Sequence, residues 1–294
     1  MIQIQVAQKK KVKLKIGMSG ASGFGKTYSA LLMAFGVVKE LYPDLPDEDC
    51  WRKIIVIDTE NESASLYADL GPYNVINLTA PFEPERYIEA VDACVKAGME
   101  VAVIDSITHE WDGQGGCLEI ADKVTQASPS KNSYTAWAKV TPRHQAFVQK
   151  ILQSPLHVIT TVRRKQDYEM VNDSMGKLKV QKVGTKEITR DGFEYELTLN
   201  FEFTSDMHYV KASKDRTGLF MGKDEFIITS ETGKQLIQWA NSGKEEIQIA
   251  LERLDKVTSR EQLTEVYETF VKLREDPKFV VKLQELGKKY PKVD

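Results

Sequence analysis

The sequence contains few of the residues that build disulfide frameworks or zinc knuckles, and no long apolar run. Its 294 residues include three cysteines with no CxxC pair and four scattered histidines without HExxH spacing. This pattern predicts neither a disulfide framework nor a structural zinc site. No uninterrupted apolar run approaches the length of about 18 residues that a membrane span needs, and residues 1–17 are too polar for a signal peptide. We therefore expect a cytoplasmic protein with no membrane partner.

The sequence also lacks an excess of positive charge. It has 40 lysines and arginines against 43 aspartates and glutamates, which gives a net charge of −3. A global basic signature for nucleic acid is therefore absent. Residues 163–190 are locally basic, however, and a local basic loop can bind phosphate even on a mildly acidic protein. The same stretch is equally compatible with a solvated surface.

Strands and helices alternate through the first 162 residues. Runs typical of strands are VKLKIGM, WRKIIVIDTE, YNVINL, MEVAVIDSIT and LHVITTV. Helical patterns lie between them, at residues 27–38, at 84–98, and in a segment where Thr141 is predicted to cap and Pro142 to take the first helical position. Because strand and helix alternate repeatedly, we predict an α/β fold with a doubly wound parallel sheet.

A different pattern follows residue 162. Residues 165–184 predict a hairpin turning near Asp173–Gly176, and residues 193–215 predict two antiparallel strands turning near Ser205–Asp206, all extending the sheet. From about residue 242 the pattern is helical, with Thr258 or Ser259 and Asp276 as caps and Pro277 as a first helical residue. We predict two domains, a core over 1–241 and a small C-terminal helical appendage over 242–294.

The most specific motif is Gly20-Ala21-Ser22-Gly23-Phe24-Gly25-Lys26-Thr27. It fits G-x-x-x-x-G-K-[ST] between a predicted strand and a predicted helix, the context that a phosphate-binding P-loop requires. Glycines let backbone N–H groups converge on phosphates, and the following helix N-terminus adds positive potential. Lys26 can reach the β and γ oxygens, and the Thr27 hydroxyl can ligate Mg²⁺. The predicted ligands are ATP and Mg²⁺, and the predicted nucleotide contacts are Ser22, Gly23, Phe24, Gly25, Lys26, Thr27 and Tyr28.

Acidic residues end two of the predicted strands. Asp105 closes the apolar run 101–104 and is placed to hold Mg²⁺ together with Thr27. Asp58 and Glu60 follow the second strand, and ligands bind at the carboxyl edge of such sheets. Glu60 has the longer side chain, so we predict that it activates water for hydrolysis and that Asp58 supports it.

The order of these motifs resembles the RecA-type ATPase core, in which the catalytic glutamate follows the second strand. The resemblance covers roughly residues 12–220, and Ser106 stands where other P-loop families place the base. More narrowly, several segments resemble phage-encoded RecA-like ATPases related to the Sak group of single-strand DNA recombination and annealing proteins: IDSITHEW, TPRHQAFVQKILQSPLHVITTVRRK, RDGFEYE and KDRTGLF. The resemblance implies a RecA-like P-loop fold, ATP hydrolysis in a host cytoplasm, and a phage recombination or single-strand-binding protein as a partner.

Two further site assignments come from this resemblance. RecA-type cores often carry a γ-phosphate-sensing glutamine at the end of the fifth strand, and Thr161 stands near that place without an amide. Lys214 and Arg216 resemble the K-x-R-x-G element that reaches the nucleotide of the neighbouring subunit. Both side chains share one face of a strand, so both could meet a γ-phosphate, which implies a homo-oligomer with nucleotide at the subunit interface.

A loop after the fifth strand contacts DNA in the RecA core, and here that region is basic. Single-strand binders combine a cationic track with aromatic platforms, and Tyr168 is the one tyrosine of this region. The predicted contacts to single-stranded DNA are Arg163, Arg164, Lys165, Lys177 and Lys179. The mixed charges of the region also suit a nucleotide lid or an interface loop.

Two other functions remain open from the sequence. A small-molecule P-loop kinase would use Arg163–Lys165 as an arginine-rich lid. A nucleotide-switched interaction module with little turnover would use the helical appendage for docking. The acid after the second strand and the K-x-R-x-G element favour the ATPase.

Overall fold

The computed structural model describes residues 6–129, 131–172 and 178–291, and for 168–172 and 178–183 it describes the backbone alone. The chain divides into two compact units. One is Lys13–Gln238, and the other is Trp239–Asp294 with the described part of Met1–Val12. The domain boundary at 241/242 stays a prediction.

The larger unit contains a mixed sheet. In chain order its strands are β1 (Lys15–Gly20), β2 (Ile54–Asp58), β3 (Asn74–Asn77), β4 (Val101–Asp105), β5 (His157–Asn172), β6 (Leu178–Glu187), β7 (Leu199–Phe203), β8 (Tyr209–Asp215) and β9 (Phe226–Ile227). The strand order is β3-β2-β4-β5-β1-β7-β8-β9, with β6 paired to β5 off this path. The six neighbouring strands from β3 through β2, β4, β5 and β1 to β7 pair in parallel. The strands β8 and β9 then add antiparallel pairs. The predicted doubly wound, mainly parallel sheet with antiparallel extensions is confirmed.

Helices connect the parallel strands and follow the sheet in the chain. They are α1 (Lys26–Leu41), α2 (Asp47–Trp51), α3 (Pro84–Lys96), α4 (Thr108–Asp112), α5 (Cys117–Ala127), α6 (Ser133–Gln153), α7 (Phe193–Glu196), α8 (Ser230–Asn241), α9 (Glu246–Leu254), α10 (Arg260–Thr269) and α11 (Pro277–Lys289). Short 3₁₀ segments lie at Ser63–Leu70 and Val271–Leu273.

Both faces of the central strands are covered, which is why these strands read as continuous apolar runs. Ala102 and Ile104 of β4 pack in one cluster with Tyr87 of α3 and Phe147 of α6. Val103 alternates to the opposite face and is also fully buried. The helix α1 packs against β4 and β5. The polar residues that end such strands are therefore the ones free to face a ligand.

The predicted helix start at Thr141 and Pro142 is wrong. The helix α6 begins at Ser133, where the Asn132 side chain accepts a hydrogen bond from the Tyr134 N–H (2.9 Å), and it continues through Pro142. Val140, before the proline, is buried against α5. Burial of this early segment outweighs the cost of about 3 kcal/mol that an interior proline carries.

The predicted strands after residue 162 are confirmed with shifted bounds. The strands β5 and β6 form the predicted antiparallel hairpin, whose turn lies outside the described residues. The strands β7 and β8 form the second antiparallel pair, and residues 193–196, predicted as strand, form the short helix α7 instead.

The smaller unit is a helical cluster with its own core. The helices α9, α10 and α11 share a buried cluster that includes Leu254, Leu263 and Phe279. Two predicted caps are confirmed: Ser259 accepts from Gln262 N–H (3.3 Å), and Asp276 accepts from Lys278 N–H (2.9 Å). Pro277 occupies the first turn of α11, as predicted.

Among the residues that the structure describes, no helix combines the length and apolarity needed to cross a bilayer.

Candidate active site

Strand register brings the predicted site residues to one edge of the sheet. Gly20 at the end of β1 pairs in register with Arg163 of β5, and Asp58 at the end of β2 pairs with Asp105 at the end of β4. Because all four strands run parallel, their carboxyl ends lie at the same edge. The site is therefore a product of parallel topology and matched strand lengths.

The glycine-rich loop between β1 and α1 needs its glycines. Gly23 and Gly25 have φ values of 84° and 87°, in the left-handed region that side chains with a Cβ disfavour. A Cβ on Gly25 would also lie 2.7 Å from the His208 ring. His208 Nδ1 contacts the Phe24 carbonyl oxygen at 2.9 Å, so the β7–β8 turn supports the loop from outside.

Lys26 begins α1 and turns inward. Its ammonium donates to the carbonyl oxygens of Gly20 (3.0 Å) and Ala21 (2.8 Å). Burial lowers the pKa of Lys26 to about 8, Asp105 opposes this shift, and Arg163 adds to it. A polyanion beside Lys26 would favour the protonated amine again.

Asp105 is the centre of a hydroxyl cluster. The Thr27 hydroxyl donates to its Oδ2 (2.5 Å) and the Thr161 hydroxyl to its Oδ1 (2.5 Å). Burial raises the pKa of Asp105, and the hydrogen bonds from Thr161 and Thr27 and the charge of Lys26 oppose that rise. Oxygen donors of this kind are the ligands that Mg²⁺ prefers, so Asp105 and Thr27 fit the predicted metal.

Glu60 lies beside this cluster and is held by two partners. Its carboxylate forms an ion pair with Arg163 and accepts a hydrogen bond from the Ser106 hydroxyl (2.9 Å). The Glu60 side chain is 16% exposed and that of Arg163 is 37% exposed. The predicted base therefore faces the site. Its negative charge is neutralised by Arg163, the first residue beyond the buried part of β5.

Asp58 has a structural position. Its carboxylate accepts hydrogen bonds from the backbone N–H groups of Glu60 (2.6 Å) and Ala64 (2.7 Å), and it is 2% exposed. Burial raises the pKa of Asp58, and the Ala64 hydrogen bond opposes this. Asp58 supports Glu60 by fixing the loop that carries it.

These residues surround a cavity of about 580 Å³, a volume typical of small-molecule sites. Its lining includes the predicted residues Ser22, Gly23, Gly25, Lys26, Thr27, Tyr28, Glu60 and Asp105, and also Arg163. Tyr67, Ile227 and Ile228 also line the cavity, and the rings of Tyr28 and Tyr67 are 5.8 Å apart. The lining thus combines polar residues of the glycine-rich loop with apolar and aromatic side chains.

Residues 12–241 match the family model described as AAA domain. The chain belongs to this family. AAA domains are nucleotide-binding P-loop ATPase domains, so the match agrees with the glycine-rich loop, the sheet and the cavity. No curated protein matches the sequence of this chain.

Some predicted residues of this AAA domain lie elsewhere than expected. Thr161, predicted near the γ-phosphate, is fully buried behind Asp105. Arg163, predicted to contact DNA, lines the cavity beside the glycine-rich loop. Arg164 turns into the sheet, where it pairs with Glu187 (3.7 Å) and Glu202 (3.4 Å).

The remaining predicted DNA residues belong to the β5–β6 hairpin. Lys165 is exposed and stands opposite Lys186 in the strand register. Lys177 lies outside the described residues. Lys179 is in β6, and its side chain, like that of Tyr168, is outside the described part as well.

The two cations of the K-x-R-x-G element lie at the opposite end of β8 from the glycine-rich loop. Lys214 donates to the carbonyl oxygens of Tyr195 and Leu197, and Arg216 donates to that of Tyr195 (3.0 Å). The two side chains share this acceptor and therefore lie close together. At about 3.4 Å per residue, Lys214 is about 17 Å from Tyr209, which begins the strand beside the loop. Burial and Arg216 lower the pKa of Lys214 to about 8.

Sequence reasoning missed several cavity residues of the AAA domain. His208, Tyr67 and Ile228 come from turns and short segments with no recognisable motif. Arg163 was singled out for another role, and its position was readable only from the register that places it level with Gly20.

Proposed function

We propose that this AAA domain binds Mg·ATP and hydrolyses it. The observation that carries the proposal is the convergence of Lys26, Thr27, Asp105 and Glu60 on one cavity. Backbone N–H groups of the glycine-rich loop and the Lys26 ammonium would hold the triphosphate, and the rings of Tyr28 and Tyr67 would accept the base.

Asp105 and Thr27 would hold Mg²⁺, because their oxygens already lie in hydrogen-bond contact at 2.5 Å. The bound ion would neutralise charge on the β and γ phosphates. Thr161 keeps the Asp105 carboxylate oriented toward Thr27 through the other oxygen.

Glu60 would take the proton of the attacking water, and Arg163 would control when it can do so. In this structure Arg163 pairs with Glu60 and lies close enough to Lys26 to lower its pKa. A γ-phosphate in the cavity would compete with Glu60 for the Arg163 guanidinium, since phosphate accepts two parallel hydrogen bonds from it. Glu60 would then be released only when ATP is present.

Phosphate release tests the proposal directly. Lys26→Ala should lose nucleotide binding and turnover. Arg163→Ala should keep nucleotide binding, but Glu60 would no longer be held in an ion pair before ATP binds. We expect the Arg163→Ala protein to turn over ATP more slowly, because the transition-state charge loses a cation. Unchanged turnover in Lys26→Ala would contradict the assignment of the phosphate site.

We propose further that the β5–β6 hairpin binds single-stranded DNA. Two lysines, Lys165 and Lys186, stand opposite each other in the antiparallel register, an arrangement that repels unless an anion lies over it. Lys186 pairs with Asp191 at 2.8 Å, which offsets part of that repulsion. A polyanion laid across the hairpin would replace that pairing.

Fluorescence anisotropy with a labelled oligonucleotide tests this interaction. Affinity should fall steeply with salt, because binding releases counterions. Lys165→Glu should weaken binding, and the matched control Lys96→Glu, on α3, should not. Salt-insensitive binding, or equal loss in both variants, would remove the DNA proposal and leave the ATPase untouched.

We propose that the active form is a homo-oligomer in which Lys214 and Arg216 act on the neighbouring subunit's nucleotide. Their position far along β8 from the chain's own phosphate loop supports action in trans, as does their placement on one side. Light scattering with and without ATP measures assembly. Mixing Glu60→Gln with Arg216→Ala protein should then restore turnover at those interfaces that combine one intact base with one intact arginine.

The biological task that we propose is recombination, strand annealing or replication support in a phage, on the strength of the sequence resemblance to the Sak group. A strand-annealing assay with complementary oligonucleotides, with and without ATP, tests it. Annealing no faster than without protein would reject this task.

A further inference from the structure

A second cluster of titratable side chains lies apart from the nucleotide cavity. Glu110 of α4, Cys117 of α5 and His144 of α6 come from three helices, and their exposed fractions are 0%, 0% and 4%. Cys117 Sγ donates to Glu110 Oε1 at 3.1 Å, and His144 Nδ1 lies 3.0 Å from Glu110 Oε2. The function proposed above uses none of the three.

We propose that Glu110, Cys117 and His144 form a binding site for a zinc ion. The thiol sulfur, an imidazole nitrogen and a carboxylate oxygen all lie within 4.8 Å of one another. Tetrahedral zinc, with bonds of about 2.0–2.3 Å, needs its donors about 3.3–3.6 Å apart, so small side-chain adjustments would place all three.

The donor set selects the class of metal. Sulfur and nitrogen donors favour zinc over Mg²⁺ or Ca²⁺, which prefer oxygen alone. Three protein ligands leave one position for a water molecule. His144 also borders a cavity of about 470 Å³ together with Gln145 and Arg190.

Charge balance is compatible with a zinc ion at this place. A fully buried carboxylate is costly unless a cation or hydrogen bonds compensate it. Arg143, adjacent to His144, does not serve, because it pairs with Glu85 (2.6 Å) and Glu83 (3.6 Å). Zinc with one thiolate, one carboxylate and one neutral imidazole is electrically neutral.

The proton balance of binding follows from the same groups. Without metal, the Cys117 thiol carries one proton. Zinc takes the place of that proton, so binding releases it to solvent. No electron is transferred, and the water in the fourth position keeps its protons.

The surroundings of the cluster suit a structural ion. The Trp111 ring packs against His144 at 5.3 Å between centroids and stacks on Trp137 at 5.5 Å. Cys117 also belongs to a buried apolar cluster with Ala121 and Val140. An ion here would tie α4, α5 and α6 together, so its function would be to stabilise the packing of these three helices.

Metal content is the first test, made on the full chain. Wild-type protein unfolded and refolded with zinc, then dialysed, should retain about one zinc per chain by mass spectrometry of the elements. Cys117→Ser should lose it, and the matched control Cys94→Ser, at another buried cysteine, should keep it. If wild-type protein retains less than about a tenth of an equivalent of zinc, the proposal is overturned. Glu110, Cys117 and His144 would then be a buried hydrogen-bonded cluster that binds no metal.

Cobalt substitution is the second test, and it does not depend on any variant folding. Wild-type protein refolded with Co²⁺ should show a sulfur-to-cobalt charge-transfer band in the near ultraviolet. Cobalt at the oxygen donors of Asp105 and Thr27 cannot give this band. Its absence from wild type, or its persistence in Cys117→Ser, would reject the site whatever the outcome for ATP.

Discussion

Asp105 and Glu110 are two buried carboxylates, one at the end of β4 and one five residues later in α4, yet their surroundings differ in kind. Asp105 accepts hydrogen bonds from the hydroxyls of Thr27 and Thr161 and lines an open cavity. Glu110 contacts a thiol and an imidazole and is fully buried. The comparison shows that the neighbours supplied by distant parts of the chain, rather than the carboxylate itself, decide which cation a site suits.

Removing the negative charge of each carboxylate is the most severe test of this difference. Asp105→Asn should reduce ATP turnover about a thousandfold, because the magnesium ion loses its carboxylate partner. Glu110→Gln should lose zinc and leave Mg²⁺-dependent turnover little changed. Phosphate release as a function of Mg²⁺ concentration measures both, with circular dichroism to check folding. Equal losses in the two variants would mean that the clusters are not distinct.

Removing the base beside the Asp105 cluster should have the next largest effect. Glu60→Gln should reduce turnover by at least about a hundredfold, since general base catalysis is lost. Nucleotide affinity should be unchanged or tighter, because a negative charge beside the phosphates is removed. Equilibrium binding of a fluorescent nucleotide measures the affinity.

The control for this variant is Glu62→Gln, an exposed residue of the same loop. It should behave as wild type. If Glu60→Gln keeps full turnover, the cavity contains a different base or the protein is a switch with little turnover.

The open cavity also predicts that nucleotide affinity depends on pH. Burial lowers the pKa of Lys26 to about 8 in the nucleotide-free protein, and a bound triphosphate raises it. Affinity should therefore be constant below pH 8 and fall about tenfold per pH unit above it, until the pKa of the complex is reached. Nucleotide titrations between about pH 7 and 9.5 measure this. Lys26→Arg should make the curve flat, and a flat curve in wild type would contradict the role of Lys26.

The smallest expected effect concerns the hydroxyl group of Thr161, which donates a hydrogen bond to Asp105. Thr161→Val leaves one oxygen of Asp105 without its donor, which should cost about 1–3 kcal/mol of unfolding free energy. Thr161→Ser keeps the hydroxyl and should lose less. Thermal unfolding of both variants, with and without Mg²⁺, is the measurement. Equal stability of Thr161→Val and wild type would show that Thr161 does not orient Asp105.

The site residues that carry a local signal were predictable. The spacing of glycines before Lys26 and Thr27 specifies a phosphate loop, because glycine takes the positive φ found at Gly23 and Gly25 without the steric cost of a Cβ. Asp105 was predictable from its position at the end of a continuous apolar run, which indicates a strand buried on both faces. The same reasoning placed Glu60 at the correct edge of the sheet.

Residues whose position depends on packing were predicted less well. The proline rule placed a helix start at Pro142, whereas burial of Val140 extends α6 backward past it. Arg163 and Arg164 look alike in sequence, but one faces the cavity and the other faces Glu187 and Glu202. Alternation along β5 separates them, and the sequence does not say which face meets the ligand.

By itself the sequence determined the phosphate loop, the alternation of strands and helices, and the acids at the strand ends, since each depends on residues close together in the chain. Only the tertiary structure decided that Arg163 neutralises Glu60, that Thr161 stands behind Asp105, and that Glu110, Cys117 and His144 meet. These contacts join helices and strands distant in the chain, and their distances follow from register and packing, which no local pattern encodes.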